Sequence, residues 1–66
     1  MLSMKIAKNV KRLREQRGMT QEALAAKVDI HRVYLAKIET AVKAPSLDVL
    51  ENLAKALKVK PGKLLE

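Results

Sequence analysis

Residues 28–39, VDIHRVYLAKIE, gather the side chains of this 66-residue chain that are best equipped for chemistry. His31 is the only histidine and Tyr34 the only aromatic residue; Arg32 and Lys37 flank them, and Asp29 and Glu39 stand near the two ends. A histidine beside carboxylates is the raw material of general acid–base catalysis or of a metal site. Neither develops here. One histidine, no cysteine and no carboxylate pair converging on a plausible pocket leave no acid–base or nucleophilic constellation. His31 with Asp29 or Glu39 does not make metal-ligand spacing either. The expectation is a protein that is not an enzyme and needs no metal and no cofactor.

Charge points elsewhere. Fourteen Lys and Arg against seven Asp and Glu give a net charge of +7, which should draw polyanions, nucleic acid first and anionic lipid second. Arg32 and Lys37 then matter as donors, matched to the O6 and N7 acceptors that guanine shows in the major groove. No apolar run approaches the length of a membrane span, and MLSMKIAKNVKRL lacks the apolar stretch of a signal peptide. The absence of cysteine fits a reducing compartment. A soluble, cytoplasmic protein with no membrane partner is expected. Its length leaves room for one domain, residues 1–66, and for short elements only.

The elements that must position these residues follow a helical period. Ile6, Val10 and Leu13 make residues 4–17 an amphipathic helix, with Ser3 as its cap and Gly18 to end it. Its polar face carries Lys5, Lys8, Lys11, Arg12 and Arg17. A basic amphipathic helix of this kind also lies on membrane surfaces, but Ile6, Val10 and Leu13 are needed by a core. After Thr20 as cap, QEALAAKV forms a second helix with Leu24, Ala25 and Val28 inward. A third runs from about Arg32 to Glu39 around Leu35 and Ile38. The loop TAVKAPS leads to Ser46, the cap of a fourth helix, LDVLENLAKALK, which packs with Leu47, Leu50, Leu53, Ala54 and Leu57. A last short helix, PGKLL, has Pro61 in its first turn. No segment alternates as a strand does. The fold class is all-α: five short helices around one core.

Helices two and three are separated by only a few residues and must cross sharply. Leu24, Val28, Ile30, Leu35 and Ile38 are spaced to hold such a crossing, and the small Ala25 allows the close approach. This is a helix-turn-helix pattern. TQEALAAKV, then YLAKIE, then PSLDVLENLAKALKV together resemble the Cro/repressor-type (xenobiotic-response-element) helix-turn-helix regulators, over residues 4–65. The resemblance implies a lambda-repressor-like domain that binds double-stranded DNA, with a recognition helix at about 31–39 in the major groove. The positions it assigns to base contacts are His31, Arg32, Val33, Ala36 and Lys37. Those it assigns to the phosphate backbone are Gln21, Thr40 and Lys43.

The resemblance also implies an ion pair, Arg14 with Glu39, fixing the recognition helix against helix one. Three positions depart from the family pattern. Asp29 and Ala41 stand where glycine is common, and His31 stands where serine or threonine commonly caps the recognition helix. One module reads few base pairs, so a homodimer on a palindromic operator is expected, with Val59, Leu64 and Leu65 of the last segment as its interface. The alternatives within this fold are an antitoxin, whose partner is a toxin protein, and a controller protein of a restriction–modification system.

Overall fold

The chain folds as four α-helices closed by a 3-10 helix: α1 (Leu2–Gln16), α2 (Gln21–Lys27), α3 (Arg32–Glu39), α4 (Leu47–Ala56), and the 3-10 helix Pro61–Leu65. A computed structural model describes residues 2–66. Among the described residues there is no strand, and no helix is long and apolar enough to cross a membrane. The fifth helix expected from PGKLL is therefore present, but as a 3-10 turn rather than an α-helix.

One core joins all five elements. Ile6, Val10 and Leu13 of α1 meet Leu24 and Ala25 of α2, Leu35 and Ile38 of α3, and Leu50, Leu53 and Ala54 of α4. Val28, Leu57 and Leu64 complete the cluster. α1 lies against α3 and against the 3-10 helix, while α2 packs on α3. Asn9 Nδ2 donates to the Leu64 carbonyl at 3.0 Å, tying α1 to the end of the chain.

Two expectations fail in detail. Ser3 does not cap α1, because its own backbone is helical and a cap residue must be extended. Leu47 does not pack: it is the first residue of α4 and is 78% exposed, its side chain pointing away before the helix turns onto the core.

The caps of the other helices do form. Thr20 Oγ1 accepts from Ala23 N at 3.0 Å, and Ser46 Oγ from Val49 N at 3.2 Å. At their far ends all four α-helices stop in the same way. A residue with φ near +60° donates its N–H three residues back, and the next N–H reaches five residues back. The pairs are Gly18 and Met19, Asp29 and Ile30, Ala41 and Val42, Lys58 and Val59. This is the Schellman arrangement, which normally calls for glycine at the left-handed position. Only α1 supplies one. Asp29 tolerates this conformation better than most residues, but Ala41 and Lys58 each carry a steric penalty of about 1–2 kcal/mol. The left-handed Lys58 also explains why α4 ends at Ala56 and not at 58.

Candidate nucleic-acid interface

α3 is short, and its two sides differ in kind. Leu35, Ile38 and Glu39 are buried; His31, Arg32, Val33 and Lys37 are exposed, with Tyr34 and Ala36 partly covered between them. Apolar residues at helical spacing hold one side on the core, so the remaining positions must face out. His31, Val33, Tyr34, Lys37 and Lys43 line one shallow depression on this outer side. Lys43, from the loop after α3, thus joins residues of the helix itself. Val33 is 44% exposed, which leaves a bare methyl surface among donors.

The start of α3 is capped by its histidine. His31 has an extended backbone, and its Nδ1 accepts from Val33 N at 3.1 Å. At the other end Thr40 Oγ1 donates to the Ala36 carbonyl at 3.1 Å, with the Lys37 carbonyl at 3.3 Å. A hydroxyl has one hydrogen, so Thr40 must release these carbonyls before it can donate to a phosphate.

Behind the exposed face lies a closed polar cluster. Arg14 Nε donates to Glu39 Oε2 at 2.7 Å and Arg14 Nη2 to Glu39 Oε1 at 3.1 Å, a two-pronged contact. Arg14 Nη1 donates to the Met19 carbonyl at 2.8 Å, and Gln21 Nε2 to Glu39 Oε1 at 3.0 Å. Both charged residues are buried, at 8% exposure each. Glu39 raises the Arg14 pKa above its ordinary value, chiefly through the hydrogen bond, while burial works against it. A carboxylate in the last turn of a helix opposes the helix dipole, so Glu39 depends on this arginine. α1, α2 and α3 are thereby fixed at one point.

Gln21, assigned above to the phosphate backbone, is half-buried and spends one amide hydrogen on Glu39. Its second amide hydrogen remains. Sequence reasoning missed this link, since nothing in the spacing of Gln21 and Glu39 announces it. The last segment needs a correction. Leu64 is fully enclosed in the core of its own chain and is no surface residue, because the 3-10 turn folds it back beneath α1. Val59 is half-buried and Leu65 is 37% exposed.

Known proteins share this fold. The helix-turn-helix family model HTH_3 matches residues 10–64. Control protein C.BamHI of Bacillus amyloliquefaciens is 45% identical over 49 residues, covering 74% of this chain and 60% of that protein. The chain thus spans about three-fifths of the length of that curated relative. Among solved structures, the restriction–modification controller protein C.AhdI from Aeromonas hydrophila superposes with a TM-score of 0.90 at 31% identity, covering 94% of each chain. The biofilm master regulator SinR, solved in complex with DNA, gives 0.87 at 31% identity over 92% of this chain and 98% of that one.

Proposed function

The chain belongs to the HTH_3 helix-turn-helix family, and from that premise we propose that it is a transcriptional regulator binding double-stranded DNA by sequence. The observation that carries this reading is the two-sided α3. Its inner side is locked by Leu35, Ile38 and the Arg14–Glu39 pair, and its outer side presents His31, Arg32, Val33 and Lys37. An α-helix fits the major groove, and there Arg32 and Lys37 meet guanine O6 and N7 while Val33 meets a thymine methyl. Ala36 permits close approach. Lys43 and the free amide hydrogen of Gln21 hold the phosphate backbone on either side, and Thr40 joins them once its hydroxyl turns outward. The same reading has the protein working in the cytoplasm, which fits the absence of a membrane-length apolar helix among the described residues.

The molecule's longest axis is 26 Å, shorter than the ~34–36 Å between half-sites one helical turn apart. That one domain spans less than this distance supports a homodimer on a palindromic operator, with half-buried Val59 and exposed Leu65 of the last segment as its contact. Selecting duplexes from a random pool tests the function. A common, two-fold-related sequence should emerge, bound at least about a thousandfold more tightly than random DNA. Recovery of no shared sequence would end the proposal.

A second reading is narrower. The likeness to C.BamHI and the end-to-end match with C.AhdI favour a controller protein of a restriction–modification system. Binding to DNA upstream of a neighbouring restriction or methylase gene supports it; a selected site that lies elsewhere in the genome does not.

A further inference from the structure

His31 occupies the cap position of α3, and the atom it uses there dictates what its other face can do. The Val33 N–H lies in the first turn, where no carbonyl of the helix can reach it. Nδ1 of His31 accepts it at 3.1 Å. A ring nitrogen that accepts carries no proton, and a neutral imidazole has one bare and one protonated nitrogen. The proton is therefore on Nε2. A doubly protonated ring would lose the cap and set a positive charge against the positive end of the helix. Cap and tautomer thus hold each other in place.

Nε2 lies across the ring from the capping nitrogen, on an exposed residue that shares one depression with Val33, Lys37 and Lys43. We propose that His31 is a specificity-determining residue that offers DNA a donor and nothing else. Its Nε2–H seeks an acceptor on a base edge: purine N7, guanine O6 or thymine O4. It rejects the amino groups of cytosine N4 and adenine N6. A serine or threonine cap spends its short hydroxyl on the backbone; histidine caps with one nitrogen and reads with the other. This assignment rests on the DNA-binding reading above, but its first half concerns the free protein.

Two measurements test the two halves. Nitrogen-15 NMR of the free protein, with the ring neutral, should show Nε2 protonated and Nδ1 bare. A ring protonated at Nδ1, or a mixture of both forms, overturns the inference without any DNA present. The second measurement uses the selected duplex with acceptors deleted one at a time: 7-deaza purines, 2-aminopurine for guanine, and a thymine analogue lacking O4. One deletion should weaken the wild type about fivefold, the worth of a single net hydrogen bond, and leave H31S, which keeps a capping oxygen, unaffected. If the duplex binds but no deletion distinguishes the two proteins, His31 does not read a base. If no duplex is ever selected, the DNA-binding reading fails first and takes this one with it.

Discussion

Arg14 and Glu39 stand 25 residues apart in sequence and meet through two hydrogen bonds of 2.7 and 3.1 Å, both side chains shut away from solvent. An exposed pair of this kind is worth ~0–1 kcal/mol, but removing one partner of a buried pair strands the other charge and costs about 3–5 kcal/mol. A domain of this length has roughly 3–10 kcal/mol of stability in total. Glu39→Ala should therefore leave the protein largely unfolded near its former melting temperature. Glu39→Gln, which keeps one acceptor, should lower that temperature by several degrees in a circular dichroism melt. An unchanged melt in Glu39→Gln would mean that the pair contributes nothing.

Gln21 links stability to binding. Gln21→Ala removes one bond to Glu39, worth about 1 kcal/mol. It should also weaken binding to selected and random duplexes by the same factor. Gln21→Glu sets a second carboxylate against Glu39 and should be the less stable of the two in urea titration.

Base contacts and phosphate contacts separate by sequence and by salt. Arg32→Ala and Lys37→Ala should each cost roughly 1–3 kcal/mol on the selected duplex and relax preference at one position. Lys43→Ala should instead weaken all duplexes alike and reduce the salt slope by about 1. Unchanged binding of the selected duplex by Arg32→Ala would overturn the assignment of α3 as the recognition helix.

The left-handed helix ends offer gains. Ala41→Gly and Lys58→Gly relieve positive φ values of 63° and 61°. Each should raise stability by on the order of 1 kcal/mol, part of the relief being offset by the freer unfolded chain. The midpoint of urea denaturation reads this directly; Lys11→Gly, at an exposed position inside α1, should move it the other way.

Assembly is tested at Leu65, whose side chain is 37% exposed. Leu65→Glu should convert a concentration-dependent dimer into a monomer in analytical ultracentrifugation while leaving the melt of the monomer intact. A dimer-sized particle that survives the substitution would place the interface elsewhere.

Much of the fold was written in apolar spacing, because buried positions recur at helical intervals: Ile6, Val10, Leu13, then Leu24, Leu35, Ile38, Leu50, Leu53. What spacing does not encode is which apolar residue at an element's edge turns inward. Leu47 and Leu64 were misjudged for that reason, one at the first residue of a helix and the other on a 3-10 turn whose path depends on α1. The left-handed Lys58 was missed because lysine carries none of the signal that glycine does. At the candidate interface, the outward residues of α3 followed once its inward ones were known. The Gln21–Glu39 bond did not, since it joins two helices whose crossing angle is set by side chains elsewhere.

The bond from Asn9 to the Leu64 carbonyl spans 55 residues and joins the earliest helix to nearly the last turn. During synthesis at ~5–20 residues per second, α1 is made seconds before the segment that covers it. α3, made earlier, covers part of the apolar stripe of α1, but the part that Leu64 covers stays open through that interval. A chain cut after α4 therefore leaves that strip of α1 bare, although its four α-helices are all present.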